Sequence, residues 1–317
     1  MTGAPLGATL ELAVLTDDLS RLQRRSDVRG LLRLAGHLVA IVATGALYGV
    51  TLARSLPLAV QGLAALGYGF TLVTMFATMH ESVHRTAFQS RPLNDAVAWF
   101  AGLLSFYNST FYRPYHGWHH RFTQIAGQDP ELEDRKPTDI PSYLLELSGI
   151  PWWLGKLVTY AKIAAGRTAQ YGFLNETTGR LVVRSVRAQL GVYALAIAGS
   201  VALGQPYFVS FWLIPVALAQ PLLRSILLAE HTGCSEDDDA LANTRTTYTI
   251  WPVRFLMWEM PYHAEHHRHP ALPFFSLAEM HRSLGPTLVH VARSGYSGFH
   301  VELLRRITRK ASAERAP

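Results

Sequence analysis

The sequence predicts an all-α integral membrane protein: four transmembrane helices in two hairpins, with a helical cap at one membrane face. Three observations predict it. Only 16% of the 317 residues are charged and the mean hydropathy is +0.11, too apolar for a typical soluble enzyme. Four apolar runs are almost free of charge. Eight of the 14 histidines fall in three five-residue windows, at the ends of those runs or outside them.

The runs come in pairs. Residues 34–53 and 55–80 contain no Asp, Glu, Lys or Arg, and each is long enough to cross a hydrocarbon core of about 30 Å. Arg54 and Pro57 mark a tight reversal between them. A second uncharged stretch, 188–223, is broken by Gly204, Gln205 and Pro206, a turn signal, which predicts spans near 188–204 and 207–229. Arg224 lies near the end of the last, where its head would snorkel or face a polar cavity. Residues 96–112 are apolar at first but end in Asn108, Ser109 and Thr110, so they predict a re-entrant or interfacial helix. Residues 142–166 mix Trp152, Trp153 and Leu157 with Lys156 and Lys162, the composition of one interfacial amphipathic helix. The acidic segment 128–139 reads as a solvated loop.

Arg21, Arg24, Arg25, Arg29 and Arg33 precede the first span, Arg184 and Arg187 the third, and Arg305, Arg306, Arg309 and Lys310 lie near the C-terminus. The turns at 54–57 and 204–206 carry almost no charge. By the positive-inside rule both termini and the central segment are cytoplasmic, which suits a cell inner membrane. The expected organisation is an N-terminal cytoplasmic segment (1–30), a membrane domain (31–285) and a basic cytoplasmic C-terminal segment (286–317). The net charge of +6 lies beside apolar runs, so it points to a lipid surface and not to nucleic acid. Met1 to Asp27 lacks the pattern of a cleaved signal peptide. The single cysteine, Cys234, excludes an internal disulfide or a cysteine-ligated cluster within this chain.

The windows are His80-Glu-Ser-Val-His84, His116-Gly-Trp-His119-His120 and His263-Ala-Glu-His266-His267. On a helix, positions i, i+3 and i+4 share one face, so each window presents two or three imidazoles together. Neutral imidazole is a common ligand of iron and zinc. Eight ligands exceed one ion and suit two. His231, directly after the fourth span, is a ninth candidate. His37, His269, His281, His290 and His300 lie outside the pattern and read as ordinary polar residues. A shared site requires every window on one membrane side, so an even number of crossings must separate each pair. The four spans meet that requirement only if 96–112 does not cross.

The order HxxxH, HxxHH, HxxHH between paired hairpins resembles the membrane fatty acid desaturase superfamily, over roughly residues 30–285. Tyr107-Asn108, Arg113, Asp129-Pro130 and Asn243-Thr-Arg-Thr-Thr fit as well. The resemblance implies a di-iron site held in the cytoplasmic cap by His80, His84, His116, His119, His120, His231, His263, His266 and His267. It implies two iron ions, O2 and a lipid or acyl substrate. No cytochrome b5-like domain is recognisable here, so electrons are expected from a separate donor: a ferredoxin, a cytochrome b5-like protein or a flavin reductase. Some relatives carry Asn one turn before the lone histidine; Leu227 stands there, which puts a water-mediated tenth ligand in doubt.

The expected activity is desaturation of a fatty acyl chain or similar lipid. The alternative is hydroxylation of a lipid, carotenoid or small amphiphile at the same site. His80-Glu81-Ser82-Val83-His84 also satisfies HExxH, the zinc protease motif, but that reading leaves six clustered histidines without a task. A metal carrier would spread its ligands along the spans. The central segment 128–187 and the approach to the third window, including Arg245 and Arg254, are candidates for binding an anionic head group, and Glu81 and Glu265 for acceptors that orient ligating imidazoles.

Overall fold

The computed structural model describes residues 18–133 and 136–313, with side chains to 309. The N-terminal residues 1–17, where no signal peptide is expected, lie outside the described residues.

Helix α1 (Asp27–Ala53) starts at Ser26, whose hydroxyl accepts from the Arg29 amide, and turns at Arg54 to Pro57. Helices α2 (Leu58–Val73) and α3 (Met75–Val83) return as one rod interrupted at Thr74. Helix α4 (Arg91–Ser105) ends at Phe106, which is left-handed (φ 61°), and α5 (Ser109–Phe122) starts three residues later. That reversal keeps 96–112 from forming a single crossing.

The stretch 142–166 is two helices where the sequence reading expects one: α6 (Ile140–Leu147), with an Asp139–Ser142 capping box, and α7 (Ile150–Ala164). Gly149, at φ 72°, sits at the break, in a backbone region that disfavours other residues. Helix α8 (Glu176–Ala202) and a π-turn, Val209–Leu213, followed by α9 (Ile214–His231) form the second hairpin. Short helices α10 (Trp251–Leu256) and α11 (His263–Arg268) lead to α12 (Phe274–Leu284) and α13 (Gly295–Ala313).

Four rods are long and apolar enough to cross a membrane: Asp27–Ala53, Leu58–Val83, Glu176–Ala202 and Val209–His231. At about 1.5 Å per residue, even the shortest exceeds a 30 Å core. Their outward faces carry exposed apolar residues, including Val39, Val42, Leu63, Leu195 and Val201. Water does not favour such belts; lipid does. The two hairpins meet where α2 crosses the start of α9. A side chain at Gly69 would collide with the Pro215 carbonyl, so only glycine permits that approach.

The fold is not purely helical. Arg245–Thr247 (β1) and His290–Ala292 (β2) pair in parallel, Arg245 opposite His290. Three residues per strand carry no readable alternation, so the pair is invisible to pattern. It ties the approach to the third histidine window to the C-terminal region. There α13 is docked by Phe299, Leu303 and Ile307 against Tyr143, Leu228 and Ala229.

One buried knot joins the first hairpin to the third window. His37 is fully buried; its Nε2 lies 2.9 Å from the Thr71 carbonyl, and Trp258 Nε1 donates to its Nδ1 at 3.3 Å. Trp258 and Glu259 both have positive φ (48° and 60°), which non-glycine residues adopt only when surroundings hold them there. Arg33 (3.2 Å) and Arg254 (2.9 Å) grip the Glu259 carboxylate. Trp258→Ala is therefore expected to cost about 3–5 kcal/mol. Thermal unfolding in detergent checks this; an unchanged midpoint would show that the knot does not hold the loop.

Candidate metal centre

The three windows reach one place because each sits at a helix end that the fold pins. His80 and His84 close α3. His116, His119 and His120 lie on α5, and Arg113 Nε, on the same helix, donates to the Val83 carbonyl at 3.1 Å. Asp95 pairs with both Arg113 and Arg85, locking α4, α5 and the end of α3 together. His231 is the last residue of α9, and α11 carries His263, His266 and His267. All nine meet at one end of the helical bundle.

Their nitrogens form two groups. In the first, Nε2 atoms make a closed ring: His80 to His116 3.0 Å, His116 to His120 3.0 Å, His120 to His266 3.1 Å and His266 to His80 3.0 Å. His84 joins them, and its Nε2 is buried with no hydrogen-bond partner. As hydrogen bonds, this ring would need donors and acceptors to alternate, with every N–H split between two acceptors. As ligands of one ion the lone pairs are all used, because neighbouring ligands with bonds of about 2.1 Å lie about 3.0 Å apart. The second group is His119, His231 and His267, with His263 Nε2 at 3.2 Å from His231 Nε2. Nε2 of His119 and of His267 is buried and unpartnered. The donor set thus fits metal ions, held by neutral imidazoles.

The opposite ring nitrogens of five of the nine are held from behind, as metal-bound histidines commonly are, while Nδ1 of His120, His263 and His266 is buried without a hydrogen-bond partner. Tyr112 OH lies 3.3 Å from Nδ1 of both His80 and His116. Nδ1 of His119 faces Asp129 Oδ1 (2.9 Å), that of His231 the Asn243 carbonyl (3.1 Å) and that of His267 Thr123 Oγ1 (3.2 Å). Burial sets the charge state. It pushes His84 down to about 3, helped by Arg113, and holds His116, His120, His263, His266 and His267 well below the usual imidazole range. His119 is the exception: burial lowers it, but Glu131 and the Asp129 hydrogen bond outweigh burial and raise it.

Several expectations change here. Asp129 is 3% exposed and structural, so 128–139 is not wholly a solvated loop. The only sequence signal for it was the Asp129-Pro130 pair that fits the family resemblance, since Asp129 lies ten residues beyond His119 in a loop. Glu265 pairs with Thr246 and His281, not with a ligating imidazole. Glu81 accepts from Thr86 Oγ1 (3.1 Å) and the Phe274 amide (3.2 Å), and its free Oε1 faces His266 Nδ1 at 3.9 Å. A fully buried carboxylate so engaged does not suit the water-activating base of a protease. Arg245 is also buried, donating to the Ala229 and Thr232 carbonyls (2.6 and 2.9 Å), and Arg254 is bound to Glu259. Neither lines the cavity beside the histidines.

Arg224 does face one side of a cavity of about 980 Å³ that runs up to His80, His116, His119, His231 and His263. Its Nη2 donates to Tyr107 OH at 2.8 Å, and its guanidinium lies over Trp152. Phe76, Tyr107, Tyr112 and Trp152 line the same wall. Two cavity carboxylates, Glu131 and Glu230, escaped the sequence reading. Glu230 sat unremarked beside His231, the one acidic residue at the end of an apolar run.

Comparison with known proteins follows the same lines. The sequence pattern of the family described as "Fatty acid desaturase" matches residues 53–295. The chain is similar to sn-1 oleoyl-lipid 12-desaturases of Picosynechococcus sp. (24% identity; 68% of this chain, 66% of the relative) and Arthrospira platensis (22%; 66% and 64%). It is also similar to a rice protein named sphingolipid delta(4)-desaturase DES1-like (25%; 63% and 56%). The chain spans just under two thirds of the longest-matched of these relatives and less of the others.

Asp129→Asn keeps the shape but removes the anionic acceptor behind His119. It is expected to weaken metal binding about 10–100-fold. Metal titration of the purified variant checks this, and an unchanged affinity would remove Asp129 from that role.

Proposed function

The chain belongs to the fatty acid desaturase family, and from that premise we propose that it desaturates a fatty acyl chain or similar lipid. The co-substrate is O2, and the electrons come from a separate donor. The observation that carries this reading is the ring of Nε2 atoms at 3.0–3.1 Å facing an aromatic-walled cavity. His80, His84, His116, His120 and His266 would hold one iron, and His119, His231, His263 and His267 the other. Bound iron supplies, with O2, the oxidising power that an unactivated C–H bond demands.

The chain's own residues do the rest. The aromatic wall of Phe76, Tyr107, Tyr112 and Trp152 removes an acyl segment from water, favourable by about 0.8 kcal/mol per methylene. Tyr107, held between Arg224 Nη2 (2.8 Å) and Trp152 Nε1 (3.0 Å), fixes the shape of that wall. Tyr112, Asp129, Asn243 and Thr123 keep five of the imidazoles in one orientation, which lowers the reorganisation needed during turnover. The charge pattern of the loops supports a protein of the inner membrane with both termini and the site cytoplasmic. Hydroxylation at the same site remains the second reading, since it needs the same C–H activation; the names of the relatives favour desaturation.

His119→Ala and His266→Ala are each expected to lose iron and activity while the protein stays in the membrane fraction. Unchanged iron in both would sink the assignment. Lipids from cells with and without the gene should differ by loss of two hydrogens; gain of one oxygen instead would select the hydroxylase. The purified chain supplied with O2 and NADH alone is expected to be inactive until a reductase or ferredoxin is added. Turnover without either would refute the separate donor.

A further inference from the structure

The two histidine groups differ in one respect that the nine-histidine pattern does not contain. Beside the first, the nearby carboxylate Glu81 is engaged by Thr86 and the Phe274 amide, and its free oxygen faces the outer nitrogen of His266, Nδ1, at 3.9 Å. Beside the second, two carboxylates approach the inward Nε2 atoms. Glu230 Oε2 lies 3.5 Å from His263 Nε2, and Glu131 Oε2 lies 3.6 Å from His119 Nε2. Among the described residues, these histidines are the only ion-pair partners either carboxylate has. Both line the cavity, and both belong to structured parts of the site: Glu230 to the last turn of α9, Glu131 to the 3₁₀ turn Pro130–Leu132 capped by Asp129.

Other features of this corner are those of a cation-binding site. His119 is 1% exposed, its Nδ1 is occupied by Asp129, and its Nε2 has no hydrogen-bond partner. Nε2 of His267, in the same group, is likewise unpartnered and buried. His116, His119 and Glu131 by themselves bring three possible ligand atoms within 4.8 Å of one another. Separations of 3.5–3.6 Å are those of two ligands on one ion subtending about 115°, when each bond is about 2.1 Å long. Arg224, the nearest cation on the same helix, is bound to Tyr107 instead.

We infer that Glu131 and Glu230 supply anionic oxygen ligands to the second metal, making the pair unsymmetrical: imidazole alone on one ion, imidazole plus carboxylate on the other. The inference rests on the two-iron reading above and extends it. Neutral imidazoles leave the full charge of an ion uncompensated in a buried site, where charge is expensive. Carboxylates offset it and favour the harder, more oxidised state of the metal they touch. The second ion therefore holds its higher oxidation state more firmly than the first.

The test uses the full-length chain in detergent, loaded with ⁵⁷Fe, with iron per chain measured and Mössbauer spectra recorded. Wild type is expected to hold two irons giving two unequal signals. The double variant E131Q/E230Q is expected to lose about half of the iron together with one signal, and His84→Ala to lose the other. Two irons with unchanged spectra in the double variant would overturn the inference. Fewer than two irons in wild type would instead overturn the two-iron reading beneath it. Should the double variant not fold, E131Q and E230Q singly are each expected to release iron to a chelator at least about tenfold faster than wild type. Release at the wild-type rate in both would overturn the inference, and recovery in Glu230→Asp would support it.

Discussion

Nine imidazoles must be buried, neutral and aimed inward at once, and the rest of the structure follows from that demand. A protonated ring holds no metal, and a water-exposed ring competes with solvent. Burial solves the first problem by pushing most of these histidines well below their ordinary range. It creates a second, because every imidazole then has a far nitrogen needing a partner. Tyr112, Asp129, Asn243 and Thr123 answer it for five of the nine rings by fixing which nitrogen faces inward. An unanswered buried polar group costs about 1–3 kcal/mol, and these partners come from α5 and its C-cap (Tyr112, Thr123) and from two loops (Asp129, Asn243).

The long helices serve that demand by delivering histidines to one level. His80 and His231 each lie at the last turn of an apolar rod, so the rods' lengths set their depth. Gly69, by letting the two rods cross closely, sets their separation. The cap then supplies the other windows at the same level. Arg113 and Asp95 bind α5 to the end of α3, while Asn108, donating to Gln189 Oε1 (2.9 Å), binds the start of α5 to α8. The knot at His37 and Trp258 fixes the third window from the opposite side.

The segment Asn243-Thr-Arg-Thr-Thr shows how much work one short stretch does. Asn243 orients His231 through its carbonyl, Arg245 caps the end of α9, Thr246 holds Glu265, and β1 pairs with β2. A polar loop read by composition alone gives no hint of these duties. The same holds for Asp129, where an acidic run conceals one carboxylate that turns inward.

What was legible in the sequence was whatever repeats with a local period or obeys a counting rule. Uncharged runs revealed four rods, windows at i, i+3 and i+4 revealed eight histidines, and parity of crossings required 96–112 to turn back, as it does at Phe106. Only the tertiary structure decided which histidine shares a group with which, which carboxylates turn toward them, and which arginine faces the cavity. Those outcomes join residues far apart in the chain: His80 with His266, Glu131 with His119 and Glu230 with His263 across separate elements. Periodicity fixes the face a side chain takes on its own helix. The partner it meets there is set by how the helices cross, and no local pattern carries that information.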